Sequence, residues 1–122
     1  MLGSVQQPTV LVADDEEMVR HLCARVLEDA GYRVLTAVDG LQALQMVRQF
    51  GSEIQLVVSD LRMPRLDGLQ LSDWLTTMHM STPVIFISGY NLDRPTDRQV
   101  LAKPFHPSEL IAAVERVLSA AA

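Results

Sequence analysis

The sequence of 122 residues has one cysteine, Cys23, so no disulfide can close within it, and a small secreted scaffold held by crosslinks is excluded. A reducing, cytoplasmic setting is the expectation. The chain also lacks any run of Lys or Arg. Ten basic residues face fifteen acidic ones, a formal net charge of −5, which leaves no basic stripe to follow a phosphate backbone. Direct nucleic-acid binding is not expected. No apolar run approaches the roughly 20 residues that a membrane span needs, and the first residues lack the basic-then-apolar pattern of a secretion signal. Repeats, low-complexity tracts and linkers are missing too, so the chain reads as one domain.

What the chain does have is an ordinary globular composition, 48% apolar and 20% charged, arranged as short apolar runs alternating with segments of helical period. Residues 9–13 are too short for a helix and rich in β-branched side chains, and they predict a strand buried on both faces. Over 16–30, Val19, Leu22, Val26 and Leu27 recur at three- and four-residue steps, with Glu16 and Glu17 at the end where the helix dipole favours them. Gly31 stops that helix. The cycle repeats with a more polar, edge-like strand over 32–37. Asp39 then caps a helix carrying Ala43, Leu44, Val47 and Phe50 inward.

A third strand, 55–59, ends at Asp60. A Pro-containing loop leads to a helix marked by Leu71, Trp74, Leu75 and Met78, and a fourth strand, 83–87, ends at Ser88. A fifth short run, 99–102, ends at Lys103. The last helix begins near Pro107 and turns Leu110, Ile111, Val114, Val117 and Leu118 inward. Such alternation implies parallel β-α-β units and a three-layer, doubly wound α/β sheet of five strands. In that architecture ligands bind beyond the C-terminal strand ends.

Four of the five strands finish on a residue capable of chemistry: Asp14 and Asp15 after the first, Asp60 after the third, Ser88 after the fourth and Lys103 after the fifth. Three carboxylates on one rim repel one another unless a cation neutralises them, and a small hard ion such as Mg²⁺ suits all-oxygen ligands. The plainer reading of each acid alone is local: Asp14 and Asp15 cap a helix, and Asp60 caps a turn. Acids at two strand ends with a hydroxyl and a lysine at two more favour the shared site. His21, His79 and His106 lack metal-ligand spacing and are expected at the surface, while Trp74 and the methionines are expected to pack.

Ordered motifs carry a family resemblance: Val10-Leu11-Val12-Ala13-Asp14-Asp15-Glu16, Asp60-Leu61-Arg62-Met63-Pro64 with Asp67-Gly68, Ser88-Gly89-Tyr90, and Lys103-Pro104-Phe105. Over nearly the whole chain the sequence resembles the receiver domain of bacterial two-component response regulators, a flavodoxin-like fold of strand order 2-1-3-4-5. The resemblance implies a receiver domain over 8–120, preceded by a disordered tail over 1–7. It implies that Asp60 accepts a phosphoryl group from a sensor histidine kinase or phosphotransfer protein. Asp15, Asp60 and the backbone carbonyl of Arg62 would ligate Mg²⁺ directly, and Asp14 through water. Lys103 would pair with one phosphoryl oxygen and the Ser88 hydroxyl with another. A cis Lys103–Pro104 bond is implied as well.

Two departures from the family pattern stand out. Three residues before Lys103, where the family carries a switching aromatic, the residue is Val100. Only fifteen positions separate Ser88 from Lys103, and residues 91–98 hold one large apolar side chain, Leu92, together with Pro95. The fourth helix of the pattern is therefore predicted to be short or absent, similar to receivers of hybrid sensor kinases. That leaves the fourth and fifth strands less covered, a face open to a downstream protein or to a second copy in a homodimer. Phosphorylation is expected to order residues 91–99. Arg62 and Tyr90, each two positions past a key residue, are expected either to shield the phosphate from attacking water or simply to face solvent.

Two rival functions are weighed. A Mg²⁺-dependent phosphatase with a strand-end Asp nucleophile wants a second acid two residues on, where this chain has Arg62. A degenerate receiver that binds partners without phosphate is opposed by the presence together of Asp14, Asp15, Asp60, Ser88 and Lys103. The expected protein is a signalling phosphoacceptor, catalysing only its own phosphorylation and dephosphorylation, with output through contact with another protein.

Overall fold

Apolar runs too short to be helices pair in parallel here, and the first three are each followed by an amphipathic helix long enough to carry the chain back to the other end of the sheet. The computed structural model describes residues 7–89 and 99–121. Its strands are β1 (Thr9–Ala13), β2 (Arg33–Ala37), β3 (Ile54–Asp60), β4 (Val84–Ser88) and β5 (Gln99–Ala102). Its helices are α1 (Glu17–Asp29), α2 (Gly40–Phe50), α3 (Gly68–Thr77) and α4 (Pro107–Ala121), with one 3₁₀ turn at Gly51–Glu53. The sheet is parallel throughout in the order β2-β1-β3-β4-β5. This is the flavodoxin-like order that the resemblance implied. The short fourth helix and all but Gln99 of the segment 91–99 fall on residues 90–98, and all but Gln7 of the tail falls on 1–6, which lie outside the described residues.

Alternation along the strands divides the core in two. Val10, Val12, Leu56, Val58, Ile85 and Ile87 face one side and pack with Cys23, Leu27, Leu110 and Val114 of α1 and α4. Leu11, Ala13 and Val57 face the other and pack with Ala43, Leu44 and Val47 of α2 and Leu71 and Leu75 of α3. One residue of each expected stripe on α1 and α3 lies outside the core while the rest pack inward. On α1 the fully buried residues are Cys23 and Leu27, and Leu22 stays 49% exposed. On α3, Trp74 is 41% exposed because its turn lies on the flank of the buried Leu71–Leu75 line. Among the methionines Met63 packs as expected, but Met18 is exposed. All three histidines lie at the surface.

Helix starts follow local chemistry. Asp39 accepts from the Gln42 N–H at 2.7 Å, and Asp67 forms a reciprocal capping box with Gln70. Gly68, the first residue of α3, lies against the end of β3: a Cβ there would run into the carbonyl oxygen of Asp60. Helix propensity alone favours Ala over Gly by about 1 kcal/mol. Because the obstacle is backbone, Gly68→Ala is expected to destabilise instead, by roughly 2–3 kcal/mol in urea denaturation. A stabilised variant would show that the approach is looser than described.

Candidate functional site

Strand register brings the chemically capable residues to one rim. Ala13 pairs with Ser59, Asp60 with Ile87, and Ser88 with Ala102, so the next residues on β1 and β5, Asp14 and Lys103, stand beside Asp60 and Ser88. Backbone hydrogen bonds continue the ladder past the strand ends: Asp14 N–H to Ala37 O at 3.2 Å, Leu61 N–H to Ile87 O at 3.0 Å, and Lys103 N–H to Ser88 O at 2.8 Å. The Lys103–Pro104 bond is cis. Asp15, Glu16, Asp60, Arg62, Ser88, Gly89 and Lys103 line the resulting cleft.

For Asp14 and Asp60 a local turn bond and the shared site hold together, one oxygen each, while the cap of α1 is Glu16 and carries no side-chain bond. Asp14 Oδ1 accepts from the Glu16 N–H at 2.8 Å and Asp60 Oδ1 from the Arg62 N–H at 3.0 Å, which fixes each carboxylate to its own turn. Arg20 donates to the Asp14 carbonyl at 2.9 Å and steadies the same turn. The second oxygens point to Lys103. Its ammonium donates to Asp60 Oδ2 at 2.9 Å and to Glu16 Oε1 at 3.0 Å, and lies 3.3 Å from Asp14 Oδ2. Asp14 is fully buried, while Asp15 is exposed at the cleft mouth.

Burial dominates the electrostatics. It pushes the Asp14 carboxyl up to about 6; the negative charge of Asp60 adds to the rise, and the Glu16 N–H and Lys103 oppose it. For Lys103, burial alone favours the neutral amine. Hydrogen bonds to Asp60 and Glu16 and the charge of Asp14 outweigh it and hold the ammonium above its ordinary value. Cys23, beneath the site, is pushed up to about 12 by burial and by the charge of Asp14, so its thiol is inert.

These donors fit a divalent cation. Asp14 Oδ2 is buried and receives no hydrogen bond, although the ammonium stands within ion-pair range of it. Asp14, Asp15 and Asp60 bring one carboxylate oxygen each within 4.8 Å of one another, an all-oxygen set of the kind that a hard ion takes. Among the described residues, Asp15, Asp60, Arg62, Ser88 and Lys103 line this cleft and Asp14 lies buried against Lys103: Ser88 is 5% exposed in the wall and Arg62 is exposed at the edge, while Tyr90 lies outside the described residues. Glu16 was missed. The sequence offered a signal in the third consecutive acid after β1, but that acid was assigned to the helix dipole.

Fold and site together define a doubly wound α/β domain with an acidic, cation-ready cleft at its strand ends. The chain belongs to the response regulator receiver domain family, whose model matches residues 10–115. It is 38% identical over 117 residues to the sensor kinase CckA of Brucella abortus (strain 2308), a match that covers 90% of this chain and 12% of that protein. With the response regulator receiver protein CpdR of the same organism it shares 31% identity over 119 residues, covering 92% of this chain and 98% of CpdR. A response regulator receiver protein from Sinorhizobium medicae WSM419 superposes with a TM-score of 0.84 at 32% identity, covering 96% of this chain and 98% of that one. The chain thus spans about an eighth of CckA and nearly all of CpdR. It is a receiver domain of two-component signalling, and no described helix is long and apolar enough to cross a membrane.

Proposed function

We propose that Asp60 accepts a phosphoryl group from the phosphohistidine of a sensor kinase or phosphotransfer protein and holds it as an acyl phosphate. The observation that carries this reading is the Asp60 carboxylate itself, fixed by the Arg62 N–H and Lys103 at the floor of an open cleft. In the transfer, a carboxylate oxygen of Asp60 forms a bond to phosphorus as the P–N bond breaks, and the electron pair stays on the departing imidazole nitrogen. Lys103 follows the new charge and pairs with a phosphoryl oxygen. The Ser88 hydroxyl, in the cleft wall at the end of β4, donates to another, which couples phosphate to the β4 end. Arg62 at the rim shields the product from water.

Asp14, Asp15, Asp60 and the Arg62 carbonyl are the residues we assign to Mg²⁺. When bound, the ion supplies positive charge to offset that of the phosphoryl oxygens. Output passes to a partner protein in the cytoplasm, and the short edge strand β5 with β4 is the face we assign to it, for a downstream target or a second copy. No turnover of an external substrate beyond the phosphodonor is implied. The phosphatase reading remains disfavoured by Arg62 in the place of a second acid.

Two measurements test the reading. Saturating Mg²⁺, at about a hundredfold excess over its Kd, is expected to raise the melting temperature by roughly 5–10 °C. A small phosphodonor such as phosphoramidate, with Mg²⁺, is expected to add one phosphoryl group that hydroxylamine removes. No adduct, or one that forms equally well with a chelator present, overturns the proposal.

A further inference from the structure

Glu16 is the acid at this site that neither the cation nor the phosphoryl group uses, yet it holds the lysine. Its backbone is fixed on both sides: its N–H donates to Asp14 Oδ1 and its carbonyl accepts from the Arg20 N–H at 2.9 Å. It stands at the N-cap of α1, but its side chain makes no capping hydrogen bond. That side chain is turned into the cleft, with Oε1 3.0 Å from Lys103 Nζ. Of the three carboxylates around the ammonium, Asp14 and Asp60 belong to the cation-ready cluster and Glu16 does not.

We infer that Glu16 is a positioning residue that competes with the phosphoryl group for Lys103, and so sets how tightly the phosphorylated state is held. The inference rests on the reading of Asp60 as phosphoacceptor. Lys103 carries one positive charge. When a phosphoryl group arrives on Asp60, every anion that retains the ammonium subtracts from what the phosphoryl oxygens gain. Cation binding occupies the two aspartates, which leaves Glu16 as the anion still holding Lys103. Its side chain is 61% exposed, so the pair is screened and the competition is modest rather than prohibitive. Glu16 thereby shortens the life of the signal without touching the reacting atoms.

The test uses the protein with Mg²⁺ and two probes, beryllium trifluoride as an aspartyl-phosphate analogue and phosphoramidate as donor. Glu16→Gln is expected to bind beryllium trifluoride about two- to fivefold more tightly and to lengthen the phosphate half-life by a similar factor. Glu16→Asp separates a held lysine from mere negative charge at the rim. It keeps the charge but falls one methylene short of Nζ, and it is expected to behave like Glu16→Gln. Both variants should melt within a degree or two of the parent, since no cap is lost. Equal affinities and half-lives in parent and Glu16→Gln overturn the inference, as does a Glu16→Asp protein indistinguishable from the parent. If the parent protein itself takes neither probe, the phosphoacceptor reading fails first and the inference falls with it.

Discussion

Asp60→Asn is expected to abolish phosphorylation while leaving the fold intact. The amide oxygen can still accept from the Arg62 N–H, so the turn after β3 keeps its anchor. Lys103 loses its bond to Asp60 but retains Glu16 and the charge of Asp14. The negative charge that helps raise the Asp14 carboxyl also disappears, which relieves the cluster. What the variant lacks is a nucleophile: an amide does not attack phosphorus at neutral pH. Labelling by phosphoramidate should fall by on the order of 10⁴-fold or more, below detection, as for removal of a nucleophile elsewhere. Melting should be unchanged or higher. Residual labelling of the variant at the parent's rate would move the phosphoacceptor elsewhere.

Asp14→Asn is expected to stabilise the metal-free protein at neutral pH, by about 3 kcal/mol. The Asp14 carboxyl titrates near 6 in the fold against an ordinary 3.8, because burial penalises its charge. Between those values the folded state binds more protons than the unfolded one. This group therefore subtracts nothing below pH 3.8, destabilises progressively as pH rises through the window, and imposes its full penalty above about 6. Asn keeps the bond from the Glu16 N–H and removes the charge. Urea denaturation in a chelator at pH 4 and pH 7 should show the two proteins converging at the lower pH and the variant ahead at the higher. Mg²⁺ should stabilise the parent more than the variant, which keeps Asp15 and Asp60 but loses one charge of the cluster. The pair states why the site is built as it is: a strained acid cluster gives up stability in the empty protein and recovers it on binding a cation. A variant that is no more stable than the parent at pH 7 would show that Lys103 already neutralises the buried charge.

Much of this was legible from spacing alone. Four of the five strand runs end on a residue capable of chemistry, and parallel pairing places those C-terminal ends on one rim, so the order of Asp14-Asp15, Asp60, Ser88 and Lys103 is readable from the sequence. Tertiary geometry decided the rest. Leu22 and Cys23 are neighbours on α1, and a single step of 100° decides which is buried; hydrophobicity favoured Leu22, and the helix axis placed Cys23 inward. Trp74 drew a packing assignment by its size, yet it sits at the margin of the α3 stripe. The close backing of Gly68 against Asp60 is a backbone contact that composition cannot reveal. Glu16 was misread for a similar reason. A charge at a helix start is usually explained by the dipole, and only the fold brings a lysine 87 positions away onto it.

The most direct test of the account identifies the modified atom. Protein treated with phosphoramidate and Mg²⁺ is reduced with borohydride, which converts an acyl phosphate of aspartate to homoserine, and is then digested and sequenced by mass spectrometry. The account predicts homoserine at position 60 and unmodified aspartate at 14 and 15. Homoserine at either of those positions, or phosphate recovered on Ser88 or on a histidine, would contradict it.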